Sequence, residues 1–280
     1  MKTLFKIALG LVIVGIIIGI AGIIAGGAGV FGTTNPDDYI LIEESYDVGS
    51  IDKVVLQFAN KRIYILPSES DQIEIKYYET EQDPVVITET SSTLSFIEDN
   101  DWDFFWSFDF SWLWNHSAQY THCYLYLPVG STFAIDAMTS NGDISIEDLT
   151  NLDYLDLHTS NGAFEFTNIA VDNDLVATTS NGGIDVLNVI CGGLFDVATS
   201  NGAIDVTNLT ADEIEADTSN GSITFSVVGA YADFRIILDT SNGSMYIDGN
   251  KVADGRYNTD RSREINLDTS NGTIRLNFID

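Results

Sequence analysis

The tetrapeptide Thr-Ser-Asn-Gly occurs seven times in the second half of the chain, beginning at Thr139, Thr159, Thr179, Thr199, Thr218, Thr240 and Thr269. Successive copies lie 20, 20, 20, 19, 22 and 29 residues apart. A period in this range is the mark of a stacked repeat, and no other feature of the chain restricts its fold as strongly.

The flanks of each copy set the register. Four residues before each Thr stand Ile135, Leu155, Leu175, Phe195, Ile214, Ile236 and Ile265; two before stand Ala137, Leu157, Ala177, Val197, Ala216, Leu238 and Leu267. Two after each Gly come Ile144, Phe164, Ile184, Ile204, Ile223, Met245 and Ile274, and four after come Ile146, Phe166, Val186, Val206, Phe225, Ile247 and Leu276. Period-two alternation on both flanks predicts two short strands per repeat, each with one buried face. Carried through the turn, the same parity points Thr and Asn inward, and Asn-Gly supplies residues that tolerate positive φ.

Asn-Gly is also the strongest short hairpin signal, so an antiparallel meander competes. A meander has no use for the repeated Thr-Ser, whereas in a solenoid equivalent corners stack about 4.8 Å apart and like side chains form ladders. The expected fold is therefore all-β, a single parallel β-helix or solenoid of two-strand coils. Asn141, Asn161, Asn181, Asn201, Asn220, Asn242 and Asn271 are expected as its turn ladder. A degraded coil lies upstream: with Asn60 at the ladder position, Val54, Leu56, Ile63 and Ile65 fall on the four apolar positions, and Lys61 replaces the Gly.

The first part of the chain has a different character. Ile7 to Val30 is an uncharged apolar run, preceded by Lys2 and Lys6 and followed by Asp37, Asp38, Glu43 and Glu44. That is long enough to cross a bilayer, and the positive-inside rule puts the N-terminus in the cytoplasm. The run exceeds the apolar core of a signal peptide, so an uncleaved anchor is the preferred reading over cleavage. The resulting organisation is a cytoplasmic stretch 1–6, a transmembrane helix 7–31, a linker 32–49, an irregular solenoid section 50–135 and a regular section 136–280. All but the first thirty or so residues then lie outside the cell membrane.

There are 42 acidic and 12 basic residues, a formal charge of -30. Such an excess repels phosphate and excludes nucleic acid as a partner. Between the apolar positions stand Asp136, Asp156, Asp196 and Glu215 before the turn, and Glu165, Asp185 and Asp205 after it. Stacked coils bring these carboxylates together, so either their pKa values rise or cations collect on the surface; a plain solvated face is the simpler reading. No Cys/His spacing indicates a metal or cofactor site. Cys123 and Cys191 are read as unpaired core thiols, with a disulfide as the alternative.

Residues 100–115 hold eight aromatics: Trp102, Phe104, Phe105, Trp106, Phe108, Phe110, Trp112 and Trp114. They form either a hydrophobic lid over one solenoid end or a contact patch for membrane, glycan or protein. His116, His122 and His158 show no metal spacing, and no nucleophile or phosphate-loop motif occurs. No catalytic, cofactor or metal residue is assigned, and the oligomeric state is left open.

The membrane run, the stretch LYLPVGSTFAIDAMTSNGDISI and the recurring TSNGxI units together resemble the bacterial and archaeal putative-adhesin β-strand-repeat family, over roughly residues 40 to 280. The resemblance implies a right-handed β-helix-like domain at the cell surface and an adhesin-like binding or scaffolding role, with no catalytic residues to carry over. Some members sit beside envelope-stress genes, which makes an accessory protein acting through a membrane partner the second reading. A polysaccharide-active β-helix enzyme is the third.

Overall fold

The computed structural model describes residues 38–81, 83–99 and 118–279. From Ile40 onward these belong to one compact unit. Among the described residues no helix is long and apolar enough to cross a membrane. The expected helix 7–31 and the aromatic segment lie outside them.

Strands dominate because apolar residues alternate at the positions read from the repeat, and every one of those positions is buried. The N-terminal part forms β1 (Ile40–Asp47), β2 (Lys53–Gln57), β3 (Arg62–Ser68), β4 (Gln72–Glu79), β5 (Val85–Glu89), β6 (Thr93–Glu98) and β7 (His122–Pro128). Five repeats follow as pairs: β8 (Phe133–Met138) with β9 (Ile144–Glu147), β10 (Leu152–His158) with β11 (Phe164–Val171), β12 (Leu175–Thr178) with β13 (Ile184–Cys191), β14 (Leu194–Thr199) with β15 (Ile204–Thr210), and β16 (Glu213–Thr218) with β17 (Ile223–Val228). The last third holds β18 (Phe234–Thr240), β19 (Met245–Ile247), β20 (Asn250–Val252), β21 (Gly255–Tyr257), β22 (Arg263–Thr269) and β23 (Ile274–Ile279).

The ladders between repeats are parallel and in the repeat register. Leu155 faces Leu175, Phe195 faces Ile214, and Ile184 faces Ile204. The chain is therefore a stack of coils and not a meander. The degraded coil stands where its apolar residues place it: Val54 pairs with Ile135 and Ile63 with Ile144.

Spatial order departs from sequence order at both ends. The coil β2/β3 is held between β6/β7 and β8/β9. The coil β22/β23 is held between β16/β17 and β18/β19, so the seventh repeat sits inside the sixth. The insertion behind the 29-residue spacing forms β20 and β21, which pair antiparallel with β19 and β18 and close that end. At the other end β4 and β5 run antiparallel to β7 and β6. These closing strands are short or charged, the usual protection for open sheet edges. Residues 40–47, expected within a linker, instead form β1 along β4. Two of its side chains, Ile42 and Tyr46, pack on the core, and the Tyr46 ring meets Phe96 edge-on at 5.6 Å.

Four successive coils, β8/β9 to β14/β15, also have a third side absent from the two-strand reading. The longer strands bend at Asn168, Asn188 and Asn208, whose φ values are 55°, 56° and 61°, and Asp148 takes the same conformation at 55°. Beyond the bend, Ile169, Val189 and Leu209 return to the core. Asn and Asp suit this corner because their short polar side chains tolerate the left-handed region.

Candidate functional site

The Thr-Ser-Asn-Gly corner is built by burying a hydroxyl. Thr139, Thr159, Thr179, Thr199, Thr218 and Thr269 are all buried, so each hydroxyl needs partners. The Thr179 Oγ1 donates to the Gly162 carbonyl of the neighbouring coil at 2.9 Å and accepts from the Gly182 N–H of its own coil at 3.2 Å. The same pair of bonds joins Thr159 to Gly142 and Gly162, and Thr199 to Gly182 and Gly202.

The corner glycines are required by contact, not by φ. None of them is among the positive-φ residues. A Cβ on Gly182 would lie 1.8 Å from the Gly162 carbonyl oxygen, and one on Gly162 would lie 1.7 Å from that of Gly142. Lys61 stands at the corner-glycine position of its coil and is buried. Its side chain turns inward to a buried ion pair with Glu98, which also accepts the Ala59 N–H at 2.7 Å.

The asparagines point outward, opposite to the parity expectation, because the corner breaks the strand alternation. They are exposed and bonded side chain to side chain along the stack. Asn141 donates to Asn60 at 2.6 Å, Asn161 to Asn141 and Asn181 to Asn161 at 2.7 Å, and Asn201 to Asn181 and Asn220 to Asn201 at 2.9 Å. The row continues through Asn271 and ends at Asn242, each step 3.0 Å. A second row was missed in the sequence: Asn168 donates to Asp148 and Asn188 to Asn168 at 2.8 Å, and Asn208 to Asn188 at 2.7 Å. Its signal was an Asn or Asp six residues after each of the first four corner glycines, followed directly by an apolar residue.

The carboxylates also fall into rows. Asp136 lies beside Asp156, Asp196 beside Glu215, and Glu165, Asp185 and Asp205 follow one another. Partial burial pushes the Asp185 carboxyl above the usual range, and Asp205 adds to the shift. Burial also raises Asp196. A further group was not singled out from the sequence: Asp217, Asp268 and Asp239 stand on three adjacent coils. Burial raises Asp217 and then Asp268, Asp196 and Glu215 raise it further; Asp268 rises through burial and then Asp239 and Asp254. Among the described residues no set of three or more His, Cys, Asp or Glu is arranged to hold a metal ion.

Other singled-out residues have structural surroundings. His158 Nε2 lies 2.8 Å from Asp156 on the outer face. Cys123 and Cys191 are unpaired and buried, and burial pushes the Cys123 thiol up to about 12. On the outer face of β3 and β7, where other coils carry carboxylates, Tyr64 and Tyr124 stack with ring centroids 5.0 Å apart. Burial lowers the neighbouring His122, and Arg62 lowers it further. Trp102, Phe104, Phe105, Trp106, Phe108, Phe110, Trp112 and Trp114 lie outside the described residues. The strands that flank them in sequence are β6 and β7, the two arms of the outermost coil at that end.

The family model described as Toastrack DUF4097 matches residues 51–277, nearly all of the stack. The chain belongs to this family. Toastrack membership agrees with the repeat-based resemblance to the putative-adhesin β-strand-repeat family. No curated protein matches the chain. Among solved structures it is similar to a putative adhesin from Bacteroides fragilis, at 15% identity and a TM-score of 0.43, covering 86% of this chain and 97% of the other. A putative cell adhesion protein from Clostridium sporogenes is similar at 12% identity and a TM-score of 0.39, covering 86% and 100%. In this Toastrack chain the TSNG signature is the stacking contact itself.

Proposed function

We propose that the chain is a non-catalytic, membrane-anchored module whose stack faces the outside of the cell and acts in adhesin-like binding or scaffolding. The coil is read as right-handed, the sense implied by the family resemblance. One observation carries the reading: the outer rows keep register from coil to coil, so like side chains recur at the strand spacing of about 4.8 Å along a continuous stack. A rigid row of this kind suits an extended, repetitive partner, to which many weak contacts add up. The closing strands at both ends leave the sides of the stack, not its ends, as the surface for such a partner.

The apolar run 7–31 supplies the anchor in this reading, and the aromatic segment 100–115, which joins β6 to β7 in sequence, supplies a second contact patch. All four tryptophans lie in that segment, so their fluorescence reports on it alone. The test is acrylamide quenching of the full chain in liposomes, with and without cell-wall glycans. Strong quenching relieved by glycan supports an adhesive patch there. Weak quenching that no glycan changes removes the segment from the binding surface. Failure of the chain to associate with liposomes would overturn the anchored reading itself.

A further inference from the structure

Seven Asn-Gly steps with exposed asparagines in one chain raise a chemical problem. The Asn side-chain amide is open to attack by the backbone nitrogen of the next residue, and Gly offers no side chain to hinder the approach. The stack suppresses this reaction where it is complete. At Gly142, Gly162, Gly182 and Gly202 the attacking N–H is held by the corner Thr hydroxyl at 3.1–3.3 Å. Those four glycines and Gly221 are buried, and Gly272 is half-buried. Moreover, each interior Asn has its Oδ1 fixed by the Nδ2 of the next coil.

The sixth repeat lacks this protection because it is outermost. The closing strands β20 and β21 pair with Met245–Ile247 and Ile236–Leu238, on either side of the corner, and leave Ser241, Asn242 and Gly243 uncovered. Gly243 is the exposed glycine of the seven. Asn242 donates to Asn271 at 3.0 Å, but among the described residues nothing donates to its Oδ1. The far end of the row needs no such protection, since Asn60 is followed by Lys61.

We propose that Asn242 is a site of spontaneous deamidation and that the modification advances inward, to Asn271 second. The Gly243 nitrogen attacks Asn242 Cγ, the N–Cγ bond closes a succinimide, and Nδ2 departs as ammonia with the proton that nitrogen loses. Water then opens the ring at either carbonyl to give aspartate or isoaspartate. The product has no Nδ2 donor for Asn271 Oδ1 and sets a carboxylate against that oxygen. The outermost corner loosens, and the Asn271–Gly272 step becomes the new uncovered end. Repeats are therefore modified in their order along the stack, sixth before seventh, while the interior copies stay intact.

The experiment is peptide mapping by mass spectrometry of the full chain held at neutral pH, alongside the free peptide Thr-Ser-Asn-Gly-Ser. Asn242 should convert faster than Asn161, Asn181 or Asn201 by at least about ten-fold, the factor that a difference of ~1.4 kcal/mol in local opening gives. Equal rates at Asn242 and Asn181 would overturn the proposal, as would an intact Asn242 once the free peptide has reacted fully. In the Asn242→Asp variant, Asn271 should convert sooner than in the parent chain. An unchanged Asn271 rate would remove the inward advance.

Discussion

The middle of the stack and its two ends use the same coil differently. Between β8 and β17 each repeat rests on the one before it in sequence, and Thr, Gly and Asn meet their counterparts in neighbouring copies. At each end the chain runs outward, turns along antiparallel strands and encloses a coil between two others. The middle shows what one corner can do when it is repeated. The ends show how a stack that could continue indefinitely is stopped: closing strands pair with the outermost coils, and the enclosed Lys61 coil has a buried ion pair where the other coils have the corner Gly.

The sharpest way to break this contrast is to add one methyl group at an interior corner. Gly182→Ala puts a Cβ against a backbone oxygen that cannot yield, and a loss of about 3 kcal/mol or more is expected. Chemical denaturation measures it, and a variant close to the parent would sink the close-contact account. Next comes the hydroxyl. Thr179→Val keeps the shape but orphans a buried carbonyl and a buried N–H, at a cost of about 1–3 kcal/mol. Thr240→Val at the outermost, half-buried corner should cost less than about 1 kcal/mol. Equal losses would mean that the ends are as tightly built as the middle.

The two corners of one coil can then be separated. Asn188 sits at φ 56°, a conformation that glycine adopts at no steric cost, so Asn188→Gly should be nearly neutral. Asn188→Ala should lose about 1–2 kcal/mol. Reversal of that order in thermal melts would show that the side-chain row outweighs the backbone conformation.

The smallest effect concerns charge. The Asp217 and Asp268 carboxyls are raised in the fold, so the folded state binds protons that the unfolded chain releases. Stability should therefore rise as pH falls from neutral through the raised values, and level off near the ordinary Asp value of about 3.9. Asp268→Asn should raise the melting temperature at neutral pH and flatten this gain. A melting temperature that falls steadily on acidification would contradict the assignment.

Much of this was legible in the sequence because each coil repeats one burial pattern. Ile135 to Leu276 could be assigned to the core by position, and even Val54 to Ile65 could be placed without an intact signature. The order of the sixth and seventh copies was not legible, because both carry the same corner and either fits the slot beside β16. The long gap between them was the only trace. Asn-Gly was misread for a related reason: the dipeptide serves both positive φ and close contact, and only the neighbouring coil decides between them. The second corner escaped because its Asn is a single residue, not a tetrapeptide, although it recurs with the same period.

The enclosed last coil also bears on force. A protein held at one point and pulled at another tends to peel from a free edge, one ladder at a time. A pull through β23 meets no free edge at Ile274 to Leu276, which are bonded to β17 on one side and to β19 on the other, while β22 lies between β16 and β18. From Leu276 inward, traction along the strands must shear two ladders together. Tucking the final turn beneath the one before it works like the end of a rope passed under its own last wrap.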